Sequence, residues 1–282
     1  MKISIASGKG GTGKTLVATN IAISLASSGN DCVTVADCDV EEPNAYLFFP
    51  QSTLLEREEC SVPVPFIDET KCTHCGKCSE VCAYHALAVL PKTVLLFPEL
   101  CHGCRACTII CPEKAVSETT RFVGEIFRTK SCGLEIIWGE LALGEARTTP
   151  LIKAVKKKAA GEMVIVDCPP GTSCSLVESV RGTDFCLLVT EPTPFGLYDL
   201  DIALRVLEKM NIPHAVLINK SGMGDRNVYK YLEKRDIPLL MEIPLDRKIA
   251  ELYSRGEIFS QKMPEWKAKF AGMIQVIEEM IS

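Results

Sequence analysis

The sequence predicts an α/β fold, a mostly parallel sheet flanked by helices and broken by a smaller inserted unit. Three observations predict it. Short apolar runs end in polar or glycine-rich loops, segments with helical apolar spacing separate those runs, and from about residue 50 the alternation stops where cysteines gather. Residues 2–6 form a buried parallel strand rising into a glycine loop. Residues 15–27 carry Leu16, Ala18, Ile21, Ala22 and Leu25 at helical spacing, and the helix stops near Gly29. Residues 32–36 form a second strand that ends at Asp37-Cys38-Asp39.

Beyond the break the alternation resumes. Residues 150–160 read as a helix and 163–166 as a strand ending at Asp167-Cys168-Pro169-Pro170-Gly171-Thr172. A strand over 186–190, a helix over 197–210 and a strand over 215–218 ending at Asn219-Lys220-Ser221 follow. Residues 239–243 give the last strand and 266–281 a closing helix. Polar residues recur at the carboxyl ends of strands, where open α/β sheets bind their ligands.

The break contains an internal repeat. Cys72, Cys75, Cys78 and Cys82 share the spacing C-x2-C-x2-C-x3-C with Cys101, Cys104, Cys107 and Cys111, and Pro112 closes the second run where Ala83 follows the first. Such runs hold two [4Fe–4S] clusters. Three close sulfurs wrap one cube and the fourth reaches the other, so the sets cross: Cys72, Cys75, Cys78 and Cys111, then Cys101, Cys104, Cys107 and Cys82. Zinc also takes four thiolates, but its sites separate two C-x2-C pairs by a longer loop, whereas four cysteines fall within 11 residues here, twice. Residues 86–97, between the runs, suit a small β-hairpin. The insert is therefore expected to be an α+β bacterial-type ferredoxin domain over residues 60–119, splitting the larger domain into 1–59 and 120–282.

Composition limits the alternatives. A net charge of −5, with Lys156-Lys157-Lys158 as the sole basic run, gives no nucleic-acid tract, and that run reads as a solvated last helical turn. No apolar run is long enough to span a membrane, and the start, MKISIASGKGG, lacks the apolar core of a secretion signal. Fifteen cysteines in such a chain point to metal ligation in a reducing setting rather than to disulfides, and the expected location is cytoplasmic. Cys38, Cys132, Cys168 and Cys174 are read as small buried thiols packed beside strands, with a third cluster bridging two subunits as the alternative. His74, His85, His102 and His214 form no catalytic grouping.

Gly8-Lys9-Gly10-Gly11-Thr12-Gly13-Lys14-Thr15 follows a strand and opens a helix, the setting of a phosphate-binding loop. The glycines let backbone N–H groups cradle phosphate oxygens. Lys14 would neutralise the β- and γ-phosphates of ATP, and Thr15 would hold Mg²⁺ through its hydroxyl.

The run GKGGTGKT, with Lys9 as a second lysine, resembles the deviant Walker A loop of MinD/Mrp/nitrogenase-iron-protein P-loop NTPases, and the resemblance covers nearly the whole chain outside the insert. It implies that Lys9 reaches across a homodimer to the partner's phosphates, that Asp39 orients the attacking water, and that Asp37 and Asp167 join the magnesium network. It further implies that Asn219 and Lys220 read the adenine, with Pro244 in a second base-side loop. The expected activity is ATP hydrolysis coupled to electron transfer, with a redox protein or metalloenzyme as partner. The Mrp branch suggests cluster assembly instead, although the C-terminal Cys-x-x-Cys of that branch is missing because no cysteine follows Cys186. A MinD-like positioning role would need residues 264–282 as a membrane helix, where core packing is the preferred reading.

Overall fold

The computed structural model describes residues 1–27 and 32–282; the helix stop expected near Gly29 lies outside them. In chain order the elements are β1 (Lys2–Ala6), α1 (Lys14–Ala26), β2 (Val33–Asp37), β3 (Thr53–Ile67), α2 (Lys77–Glu80), β4 (Leu87–Leu90), β5 (Thr93–Leu96), α3 (Ala106–Ile110), β6 (Val116–Ser131) and β7 (Leu134–Leu141). Then come α4 (Thr149–Lys158), β8 (Met163–Asp167), α5 (Cys174–Val180), β9 (Phe185–Thr190), α6 (Pro194–Lys209), β10 (His214–Ser221), α7 (Asn227–Lys234), β11 (Leu239–Pro244), α8 (Arg247–Ser254), α9 (Phe259–Lys262) and α10 (Pro264–Ile281).

One sheet runs β11-β10-β9-β1-β8-β2-β7-β6-β3. The members from β11 to β7 are parallel, and β6 and β3 extend the edge antiparallel. Parallel strands buried on both faces read as continuous apolar runs, which is why six of them were legible; the seventh, β7, was missed by the sequence reading. Along β1, Ile3 and Ile5 face one core, against α1 (Val17, Ile21) and α10 (Trp266, Phe270). Ala6 faces the other, with Leu151 and Ile152 of α4 and Leu200 and Leu204 of α6. Trp266, Phe270, Met273, Ile274 and Ile277 of α10 are all buried, so the apolar face of the closing helix is spent on the core. Among the described residues no helix is long and apolar enough to cross a membrane.

The stretch where the strand–helix alternation was expected to stop carries two long strands. There β3 and β6 pair from Thr53↔Lys130 to Ile67↔Val116 as one long ribbon, which shifts register between Cys60 and Ser61. Both faces of the outer part are wet, so neither strict alternation nor an apolar run betrays it. As the outermost strand, β3 carries Glu56, Arg57, Glu58 and Glu59 in its first half and Pro63 and Pro65 in its second. Residues 68–115 sit at the ribbon's tip and include the expected hairpin, β4 paired with β5. The Lys156–Lys158 run is not merely a solvated helix end. Lys156 Nζ donates to the carbonyls of Glu178 and Arg181 at 2.6 and 2.5 Å, and Lys158 pairs with Glu56 (2.6 Å) and Glu58, fastening the ribbon to α4.

Candidate functional site

The phosphate loop follows from its backbone. Gly13 sits before α1 with φ 96°, a left-handed conformation that suits glycine, and a Cβ there would lie 2.3 Å from Asn219 Nδ2. No side chain caps α1, so its first-turn N–H groups face the loop. Gly11 is also left-handed, while Gly10 lies near Pro170 of the loop after β8. Gly8 touches the backbone of Asp199 in α6, where a Cβ would sit 2.2 Å from the carbonyl oxygen. Lys14 and Thr15 are buried, and the Thr12 hydroxyl is buried without a partner among the described residues.

Two carboxylates flank this loop at adjacent strand ends. Asp37 of β2 is the register partner of Asp167 of β8, and both are fully buried. Thr15 Oγ1 donates to Asp167 Oδ2 at 2.6 Å, and Asp167 Oδ1 has no partner among the described residues. Asp37 accepts from the backbone N–H groups of Asp39 (3.0 Å), Asn44 and Ala45 (both 2.9 Å). Burial pushes both carboxyls above their ordinary range; repulsion from Asp37 adds to the rise at Asp167, while backbone donors offset part of it at Asp37. Asp39 is pushed up to about 6 by burial and then by the Asp37 charge. An orphaned buried oxygen between a hydroxyl and a second carboxylate is a hard-donor set that fits Mg²⁺.

On the base side, Asn219 Nδ2 donates to the Thr12 carbonyl at 2.7 Å and Lys220 Nζ to the Gly11 carbonyl at 3.2 Å. A cleft of about 200 Å³ lies between them and Pro244, Leu245 and Tyr253. Sequence reasoning missed Glu191. This buried carboxylate pairs with Lys9 (3.0 Å) and with Lys220. Burial would raise it, but the two lysines more than offset that and hold it below its ordinary value. Its position immediately after β9, at a strand's carboxyl end, is the signal that marks it.

The eight clustered cysteines converge as two sets. Cys82, Cys101, Cys104 and Cys107 line one cavity, and Cys72, Cys75, Cys78 and Cys111 line another. The repeat extends to the backbone. Left-handed φ values at His74, Gly76 and His85 recur one repeat later at Gly103, Arg105 and Lys114. Ala86 N donates to Cys82 Sγ and Ala115 N to Cys111 Sγ, both at 3.3 Å. Successive N–H groups turned inward by such a backbone make an anion-binding concavity, so thiols and backbone together fit an iron–sulfur cube in each cavity. His74 is held by Glu69 at 3.0 Å, and His102 stacks on Tyr84 with ring centroids 3.6 Å apart. Cys38, Cys168 and Cys186 are fully buried, with burial raising each thiol, Cys186 to about 12, whereas Cys132 and Cys174 are exposed and do not pack as buried thiols.

The model of the CobQ/CobB/MinD/ParA nucleotide binding domain matches residues 3–259. The protein MJ0579 of Methanocaldococcus jannaschii, described as uncharacterized, is 33% identical over 92% of this chain and 91% of its own. The iron-sulfur cluster carrier protein of Pyrococcus furiosus is 24% identical over 90% of this chain and 77% of its own. Among solved structures, the septum site-determining protein MinD with Mg-ADP from Pyrococcus horikoshii aligns with a TM-score of 0.61 at 20% identity, covering 100% of this chain and 98% of that one. The chain belongs to the CobQ/CobB/MinD/ParA nucleotide-binding family and is a P-loop ATPase of that family.

Proposed function

We propose that this ATPase carries two [4Fe–4S] clusters and couples its nucleotide state to electron transfer through them. The observation that carries the reading is the crossing of the cysteine repeats into two four-thiol cavities, on a chain whose other end is a phosphate loop. In this reading residues 60–119 are the cluster domain within an ATPase domain of residues 1–59 and 120–282. Lys14 and the N–H groups of Gly8, Gly10, Gly11, Thr12 and Gly13 hold the phosphates. Thr15, Asp37 and Asp167 hold Mg²⁺, and Asp39 orients the attacking water. Asn219, Lys220 and Pro244 bound the adenine. Lys9, released from Glu191, serves the second nucleotide of a homodimer. The electron partner is a redox protein or metalloenzyme, and the location is cytoplasmic.

The names of several relatives favour a second reading, an ATPase that assembles or carries iron–sulfur clusters for other proteins. One experiment separates the two. The protein is purified without oxygen, assayed for iron and sulfide, and then mixed with an apo-ferredoxin or a redox partner, with and without ATP. Eight irons per chain, retained through reversible reduction, support electron transfer. ATP-dependent loss of iron to the apo-protein supports the carrier, and zinc in place of iron refutes both.

A further inference from the structure

A cleft of about 720 Å³ separates the cysteine lobe from the ATPase body. Arg147 crosses it. Its Nη1 donates to the backbone carbonyl of Cys101, although they lie 46 positions apart in sequence; the cavity of Cys82, Cys101, Cys104 and Cys107, which adjoins the cleft, is the inner one, and that of Cys72, Cys75, Cys78 and Cys111 the outer. Glu145, whose side chain is 4% exposed, fixes the guanidinium. Its Oε1 accepts from Arg147 N at 2.9 Å and from Nε at 3.3 Å, while Arg121 pairs with its other oxygen at 2.5 Å. The next residue, Thr148, shares a 2.8 Å hydroxyl contact with Ser175. Ser175 lies in the first turn of α5, directly after the loop that begins at Asp167.

A short continuous route therefore joins the magnesium-side carboxylate to a cluster ligand: the loop after Asp167, Ser175, Thr148, Arg147 and the Cys101 carbonyl. We infer that Arg147 is the positioning residue through which the nucleotide end acts on the cluster of Cys82, Cys101, Cys104 and Cys107. This rests on the two-cluster reading above. One-electron reduction adds negative charge to a cluster already bound by four thiolates, and a guanidinium on a ligand's carbonyl stabilises that charge. Arg147 thus makes the inner cluster easier to reduce than it would be without the guanidinium, by an amount that depends on how firmly the loop after Asp167 holds α5.

The test is a dithionite titration of the anaerobic, iron-loaded protein, followed by electron paramagnetic resonance, with Mg-ADP and with a non-hydrolysable ATP analogue. Cys75→Ser, an exposed thiol of the outer set, identifies which signal is the outer cluster. Arg147→Gln is expected to lower the inner cluster's reduction equilibrium at least tenfold, about 59 mV for one electron, and leave the outer potential in place. Arg147→Lys, which keeps the charge, should restore most of the shift. Ser175→Ala should abolish the difference between the two nucleotides while preserving both clusters. Equal shifts of both clusters, no rescue by lysine, or an undiminished nucleotide effect in Ser175→Ala overturns the inference alone. Protein with fewer than two clusters per chain overturns the two-cluster reading and the inference with it.

Discussion

Replacing Asp167 by Asn should make the ligand-free protein more stable and the nucleotide-bound protein less so. Asp167 is fully buried, adjoins Asp37 in register, and presents Oδ1 to no donor. Leaving a buried polar oxygen in that state costs about 1–3 kcal/mol, more while it is charged, and a neutral amide removes most of the cost while still accepting from Thr15 through its carbonyl. At roughly 2–4 °C per kcal/mol, the apo variant should melt about 2–10 °C above the parent. Ligand reverses the order. Mg-ATP analogue at a hundredfold excess over its Kd stabilises the parent by about 2.7 kcal/mol, and a variant lacking one anionic magnesium ligand should gain little of it. Differential scanning calorimetry with EDTA, then with Mg²⁺ and analogue, reads both arms. A variant that melts below the parent in EDTA, or gains the same ligand shift, refutes the assignment of Asp167 as a destabilised cation ligand.

Three further outcomes follow from the geometry. Lys14→Ala should weaken triphosphate binding roughly 10–150-fold, the loss of about 1.5–3 kcal/mol for a charge-assisted contact, read by isothermal titration calorimetry. Gly8→Ala should cost about 1–3 kcal/mol in urea unfolding, because its Cβ would lie 2.2 Å from the Asp199 carbonyl and the start of α6 must shift. Asp39, raised from 3.8 to about 6, binds a proton more readily in the folded chain than in the unfolded one. Its contribution to stability is therefore full below pH 3.8 and lost as pH rises through about 6, whereas hydrolysis, if Asp39 has the water-orienting role proposed above, should rise over that same interval; Asp39→Asn should flatten both profiles.

What could be read in the chain depended on whether the physics was local. All the interior strands but β7 and β6 were visible because burial on both faces demands unbroken apolar runs such as those of β8 and β9, and the glycines of residues 8–13 announce a turn that side chains would obstruct. The ribbon was not visible, since most of β3 needs only a partner strand and tolerates charge on either side. Glu191 escaped notice because a lone glutamate has no spacing to give it away; its meaning comes from Lys9 and Lys220, far away in sequence but at the ends of the two strands that flank β9. Arg147 and Lys158 were opaque for the same reason, each reaching a partner that only the folded ribbon brings near.

The outermost strand of the sheet has a consequence for how copies of this chain can meet. Four successive charged residues and two prolines, each lacking an amide donor, make that border a poor template for another backbone to zip onto. Association by sheet extension is discouraged along that margin.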